Sequence, residues 1–154
     1  PYGGWRMKTT VKMEPDQKII RNLGLDQRGA VQKFWTSTVL RRIQKYMPYR
    51  TGETIKLTVA QTDINKPEIV TDTPYARMLY YGKVMVDPKT GKAGFLTENG
   101  WMSRKGVKKV PSGRNIEYTK TKNQQAGPYW DRRLKAAEMQ SMDQELQSYI
   151  DRRG

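Results

Sequence analysis

Residues 73–82 concentrate side chains that are suited to contact, since Tyr75, Arg77, Tyr80 and Tyr81 all fall within this short segment. Phenol and guanidinium groups stack and donate hydrogen bonds, and both are favoured anchors of protein interfaces. They include neither an imidazole nor a thiol, the groups that most often act as base or nucleophile near neutral pH. The segment therefore favours packing and contact over catalysis.

The whole sequence contains no histidine and no cysteine. This excludes a Ser-His-Asp triad, a thiol nucleophile and metal sites built from imidazole or thiolate ligands. A Mg²⁺ site made only of carboxylates remains open. The candidate acids show no spacing that brings two of them together: Asp63, Asp72, Asp87, Asp131 and Glu138. We expect a protein without enzymatic activity, cofactor or metal.

The tyrosine-rich segment has the signals of a short helix. Pro74 suits a first helical position, because its missing N–H would be unpaired there, and Gly82 suits the left-handed conformation that ends a helix. We expect Tyr75 and Leu79 to pack inward. The side chains that then point elsewhere are candidates for subunit or partner contact: Arg77, Tyr80 and Tyr81. The alternative is a simple connector helix with amphipathic aromatic residues.

The charge is strongly basic, with 29 lysines and arginines against 15 acids and a net charge of +14. Such a field favours nucleic acid, acidic lipid surfaces or acidic protein partners. Half of the excess lies in residues 83–122, which hold ten basic and three acidic side chains. Trp101 in this stretch is a candidate interface residue. Its candidates for phosphate or partner contact are Arg104, Lys105, Lys108 and Lys109; the alternative is a solvated surface loop.

Two long helices are predicted from hydrophobic residues recurring at spacings of three and four. The first spans 27–47, with Asp26 as N-cap and Pro48 as its stop. The second spans 128–150 and contains Trp130, which we expect to be a packing anchor. A shorter helix is predicted from Pro15 to Gly24.

Alternating polar and apolar residues predict the strands. Residues 8–14 are typical of a strand or an extended arm, and 83–86 of a short strand. Ile55, Leu57 and Val59 alternate with polar residues, so 54–61 is predicted as a strand that forms a hairpin with 68–72. Residues 89–127 lack periodicity and are predicted as a long irregular loop.

The order of these elements predicts one α+β domain over 8–154, in which a small antiparallel sheet packs against an N-terminal and a C-terminal helix. The extended basic loop 89–127 belongs to this domain. Residues 1–7 are an N-terminal extension, and Met7 is also a candidate natural start. We expect neither a signal peptide nor a membrane span, because no apolar run approaches about 18 residues.

The sequence resembles the minor capsid proteins of the head–tail joining region of long-tailed bacteriophages, and the related tail-completion proteins. The likeness covers roughly 8–150. It rests on four pieces in order. The first is a helix that leads into Tyr46-Met47-Pro48 and Arg50-Thr51-Gly52, before an alternating strand. The second is Asp72-Thr73-Pro74-Tyr75-Ala76-Arg77, followed by Leu79-Tyr80-Tyr81-Gly82-Lys83; the third is a loop around Trp101; and the fourth, which opens the last helix, is Ala126-Gly127-Pro128-Tyr129-Trp130-Asp131-Arg132-Arg133.

The resemblance implies a structural subunit of the virion neck, assembled in the bacterial host cytoplasm. Such subunits form a ring around the DNA path between head and tail. The implied partners are copies of the chain itself, other connector and tail-tube proteins, and genomic DNA through non-specific contacts, with no membrane. The competing hypothesis from the charge alone is a stand-alone nucleic-acid-binding module. A carboxylate and metal enzyme is a third class, for which no residue pattern speaks.

Overall fold

A computed structural model describes residues 2–4, 7–48, 52–73, 76–92, 95–97, 100–104, 110–116, 118 and 123–153. It is an α+β structure, as predicted. The helices are α1 (Gln17–Ile20), α2 (Leu25–Ile43), α3 (Glu53–Gln61), α4 (Ala76–Tyr81) and α5 (Trp130–Arg153), and a 3₁₀ turn (Gln44–Tyr46) follows α2. None of the described helices is long and apolar enough to cross a membrane.

The described strands form three small antiparallel sheets rather than one continuous sheet. They are β1 (Tyr2–Gly4), β2 (Met7–Lys12), β3 (Glu68–Thr73), β4 (Lys83–Val86), β5 (Phe95–Thr97), β6 (Gly100–Arg104) and β7 (Val110–Asn115). Strand β2 pairs with β3, and β4 pairs with β7. Strand β6 pairs with β1 on one side and with β5 on the other.

The hydrophobic core lies where α2 and α5 pack together and against the β2–β3 ladder. Trp35 of α2 and Trp130 of α5 are both fully buried. The indole of Trp35 donates a hydrogen bond to the carbonyl oxygen of Met13, just beyond β2, at 2.8 Å. A buried indole N–H needs such a partner, so this bond fixes the end of β2 on the core.

The two long helices and the short α1 are confirmed, with a correction at the start of α2. Gly24, rather than Asp26, is the N-cap, and the helix begins at Leu25. Asp26 lies in the first turn, where its negative charge still favours the positive end of the helix dipole. The last turn tightens into the 3₁₀ segment before Pro48.

The predicted strand at 54–61 is wrong, because these residues form helix α3. The buried positions Ile55 and Thr58 are three apart, as on one side of a helix, whereas Val59 is 45% exposed. Thr58 is buried because its hydroxyl bonds the carbonyl oxygen of Thr54 at 2.7 Å and meets the Thr71 hydroxyl at 2.7 Å. The polar–apolar alternation of residues 54–61 predicts that Thr58 faces solvent, because threonine counts as polar in that pattern.

The strand at 68–72 is confirmed as β3, but its predicted partner is wrong. It pairs with β2, in a register that joins Met7 to Thr73 and Lys12 to Glu68. The predicted local hairpin is absent because its other arm is helix α3. The ladder therefore connects two segments that are far apart in sequence.

The strand at 83–86 is confirmed as β4, while the prediction of an irregular 89–127 is wrong for three parts of that segment. Strands β5 and β6 form a hairpin, and β7 returns to pair with β4. Short apolar–polar alternation over three to six residues is a weak signal amid many lysines and glycines. The first residues are also paired, since β1 lies antiparallel to β6.

Candidate functional site

Four aromatic side chains pack where α4 meets the start of α5, and we call Tyr80, Tyr81, Tyr129 and Trp130 the aromatic cluster. The Tyr80 ring lies 5.0 Å from Trp130 and 5.3 Å from both Tyr81 and Tyr129, in each case edge to face. Tyr81 and Tyr129 are 6.0 Å apart. Edge-to-face pairs at such distances contribute beyond simple burial, so the cluster locks α4 onto α5.

Tyr80 is the centre of the aromatic cluster and is only 8% exposed. Its hydroxyl donates to Asp131 Oδ1 at 2.6 Å, and its carbonyl accepts the Tyr129 N–H at 2.8 Å. Burial, together with the hydrogen bond to Asp131, raises the pKa of Tyr80 above its ordinary value. The expectation that Tyr80 points away from the core is therefore wrong. Its hydrogen-bond partner, Asp131, lies on a helix fifty-one positions later. The spacing of residues within α4 gives no information about that helix.

A second set of bonds joins the aromatic cluster to the end of α2. The Gly127 N–H reaches the Tyr46 carbonyl at 3.3 Å, and the Asn123 amide donates to the carbonyls of Gln44 and Met47 at 2.8 Å each. These bonds bring further donors to carbonyls at the helix end, where intrahelical donors run out. The end of α2 and the start of α5 are thus held in a fixed relation.

An ionic cluster extends this connection along α2 and α5. Glu138 accepts hydrogen bonds from Lys45 at 2.7 Å, from Arg42 at 3.1 Å and from the Tyr46 hydroxyl. Burial alone would raise the pKa of Glu138, but these three donors outweigh it and hold the pKa below its usual value. Burial and the bond to Glu138 raise the pKa of Tyr46 to about 12. Lys45, Arg42 and Tyr46 each bond to Glu138, so the arrangement stabilises the helix pair.

An open groove of about 770 Å³ lies beside the aromatic cluster, bounded by β2, α4, the first residues of β7 and the start of α5. Its volume falls in the range of about 300–1,000 Å³ that is usual for binding sites. Four basic side chains line it: Lys8, Lys12, Arg77 and Arg132. We call this feature the basic groove.

The basic groove is positive, with an aromatic element in its floor. Asp131 also lines it, but that carboxylate is 9% exposed and already bonded to Tyr80. The Arg132 guanidinium lies 4.4 Å from the centre of the Tyr129 ring, a cation–π contact that orients it. Tyr81 is 38% exposed and Val110 37%. Such a surface suits an elongated, negatively charged ligand that carries some apolar groups.

The sequence-predicted residues have different positions. Arg77 and Tyr81 line the basic groove, Leu79 is partly buried against the core, and Trp130 is fully buried. Trp101 and Arg104 lie on β6, of which only the backbone is described. The remaining predictions fall outside the described residues: Tyr75, Lys105, Lys108 and Lys109.

Sequence reasoning missed that Lys8, Lys12 and Arg132 share a groove with Arg77. The alternation of β2 places Lys8 and Lys12 on one side of a strand, and this signal is present in the sequence. Nothing local indicates that β2 lies beside α4. Arg132 is exposed and also borders the groove.

Among the described residues no group of three or more acidic side chains is placed to hold a metal ion. No protein-family model matches the chain. Searches of curated proteins and of solved structures likewise return no match.

Proposed function

We propose that this chain is a non-enzymatic structural subunit of the head–tail junction of a long-tailed bacteriophage, located in the virion. It would form part of a ring around the DNA path, in contact with copies of itself and with connector and tail-tube proteins. The proposal starts from the resemblance of the four ordered sequence pieces, and the geometry supports it at one point in particular.

That point is the convergence of three of the four pieces. Tyr46 of the first, Tyr80 of the second and Gly127, Tyr129 and Asp131 of the last are joined by hydrogen bonds. The last piece is bonded both to Tyr46 and to the buried Tyr80, which joins residues distant in sequence into one framework. This arrangement supports a structural role for the three pieces.

The basic groove supports a role in assembly. It is open, it lies on the outside of the framework, and it carries arginine and tyrosine, which are enriched at interfaces. A ring requires heterologous contacts, in which one surface of a subunit binds a different surface of the next. The net charge of +14 suits a subunit close to DNA, with contacts to phosphate rather than to bases.

The direct test uses the phage or prophage that encodes the chain. Mass spectrometry of purified virions should find the protein in several copies per particle, and a nonsense mutation in its gene should give filled heads and separate tails. A matched nonsense mutation in a gene for a known tail-fibre protein should leave heads joined to tails. Joined particles that lack the protein would contradict the proposal.

The alternative is a stand-alone nucleic-acid-binding module, which the four basic side chains of the groove favour. Phosphate contacts would make its affinity fall steeply between about 50 and 200 mM salt. Binding that survives in the purified chain at physiological salt, together with absence from virions, would favour this module. Retention in virions with only weak, salt-sensitive DNA binding favours the neck subunit.

A further inference from the structure

The outer edge of β3 is covered by side chains from the end of α3. The Gln61 amide accepts the Asp72 N–H at 2.8 Å and donates to the Asp72 carbonyl at 3.0 Å. The Thr62 hydroxyl accepts the Val70 N–H at 3.1 Å. Side chains thus occupy the positions that the backbone of another strand would take, and β3 cannot accept one.

The same bonds define the direction of the backbone groups of β2. In an antiparallel pair, opposed residues either exchange both backbone bonds or point both away. Val70 and Asp72 point away from β2, so their opposite residues, Thr10 and Lys8, point away from β3. No strand in the described part of the chain pairs with this second edge of β2, which we call the open edge.

The basic groove runs along the open edge. All five residues from Lys8 to Lys12 line it, although their side chains alternate between two faces, which is expected when a concavity follows the edge of a strand. Val110 and Pro111 of β7 form the far side, and β7 itself has only β4 as a partner among the described strands. The groove therefore lies between two strands, above a floor of helix.

The chemistry of the open edge favours an acidic occupant. Lys8 and Lys12 project from the same face of β2, and Arg77 and Arg132 border the groove. Opposite charges directly across a ladder are favourable. Lys8 and Lys12 already lie opposite Asp72 and Glu68 of β3, and their other side faces the groove, where a second row of carboxylates would fit. In the described part of the chain, the edge thus offers backbone groups that no strand pairs, together with four positive charges.

We propose that the basic groove binds an extended acidic segment of another protein, which adds to β2 as an antiparallel or parallel strand. Strand addition takes its affinity from main-chain hydrogen bonds and its specificity from alternate side chains. Carboxylates at alternate positions would face Lys8 and Lys12. The site is independent of the proposed neck function, since it can be assayed on the purified chain.

The occupant is a different protein rather than a second copy. In the described part of the chain the acidic residues lie on the paired strand β3, on helices or in turns and connections next to them. Lys8 and Lys12 would also oppose the same lysines of a copy paired edge to edge. A separate acidic partner meets neither obstacle.

The test uses a blocked seven-residue peptide that alternates glutamate with valine or threonine, titrated into the isotope-labelled chain. We expect shifts of the Lys8, Thr10 and Lys12 amide signals and slower exchange of these amides. Methylating alternate peptide nitrogens should weaken binding at least about tenfold, because it removes the ladder donors. A peptide with lysine in place of glutamate should not bind.

Two protein variants separate backbone pairing from charge. Thr10→Pro removes an outward N–H that makes no bond to β3, and proline is tolerated on such an edge; it should weaken binding at least about tenfold. Lys8→Glu with Lys12→Glu should abolish binding, while the control Lys56→Glu on the exposed part of α3 should leave it unchanged. Folding of each variant is checked by circular dichroism.

Three outcomes would overturn the proposal. One is a peptide that does not bind. Another is binding that is indifferent to both Thr10→Pro and nitrogen methylation, since this would reduce the groove to a charged surface. The last is a single-stranded oligonucleotide that displaces the peptide and shifts the same amides at physiological salt, which would assign the groove to nucleic acid.

Discussion

The two outer edges of the β2–β3 ladder differ in how their backbone groups are used. On the β3 side, Gln61 and Thr62 satisfy the outward groups of Asp72 and Val70. On the β2 side the groups of Lys8 and Thr10 face the basic groove. Proteins usually cover or charge their free edges, because an exposed edge pairs with other chains. Here one edge is covered and the other is charged, which restricts pairing on that side to an acidic partner.

The difference divides the molecule into a side that carries stability and a side that is available for binding. The covered side contains the bonded hydroxyls of Thr58 and Thr71, the C-terminal end of α3 and the helical core behind the ladder. The open side contains the cations that line the basic groove. Substitutions on the two sides should therefore have separable effects.

The largest effect is expected from Trp35→Ala, which removes a fully buried ring and its bond to the Met13 carbonyl. The free energy of unfolding should fall by about 3–5 kcal/mol, measured by urea denaturation. On the open side, Arg77→Ala should change it by less than about 0.5 kcal/mol. Equal losses for the two variants would remove the distinction between the sides.

A smaller loss is expected from Tyr80→Phe, since Asp131 would remain buried without its hydroxyl donor. The expected cost is about 1–3 kcal/mol, from urea denaturation at pH 7. Tyr81→Phe is the matched control, because Tyr81 is more exposed, and it should cost less than about 0.5 kcal/mol. If the control were as costly as Tyr80→Phe, the floor of the groove would not be organised around Tyr80.

Gln61→Ala should uncover the edge of β3 by removing both bonds to Asp72. We expect a loss of about 1–2 kcal/mol and a new tendency to self-associate, measured by sedimentation velocity over a range of concentrations. Lys56→Ala on the same helix is the control. A monomeric, fully stable Gln61→Ala variant would show that the side chain does not protect this edge.

Alkaline pH should weaken the folded protein without a substitution. Burial raises the pKa of Tyr46 and Tyr118 to about 12, and that of Tyr80 is also raised. Because the folded values exceed the unfolded value of about 10, the unfolded state loses these protons first. Stability should be level up to about pH 10 and fall as pH rises through the folded values. The Tyr80→Phe variant should show a shallower fall, and an unchanged slope would contradict this assignment.

Local pattern predicted the elements that are long or capped. The stripe on α2 and the glycine that ends α4 were sufficient, and Gly82 adopts the predicted positive φ of 70°. Helix α3 was mispredicted because the polar Thr58 is buried, with its hydroxyl bonded to Thr54 and Thr71, and local sequence does not reveal the contact with Thr71. Propensity gives way to such tertiary contacts.

The site was predictable only in part, for the same physical reason. Arg77 and Tyr81 were identified from one segment, whereas Lys8 and Arg132 join them through the pairing of β2 with β3 and the docking of α5 on α4. The burial of Tyr80 also depends on Asp131, fifty-one positions away. Grooves formed between distant segments have no local signature in a single sequence.

Amide hydrogen exchange, followed residue by residue by NMR, tests the central comparison most directly. The Val70 and Asp72 amides, which are bonded to Thr62 and Gln61, should exchange slowly, while those of Lys8 and Thr10 should exchange rapidly in the free chain and slow when the acidic peptide binds. Strong protection of Lys8 and Thr10 in the free chain would contradict the open edge, as would rapid exchange of Val70 and Asp72.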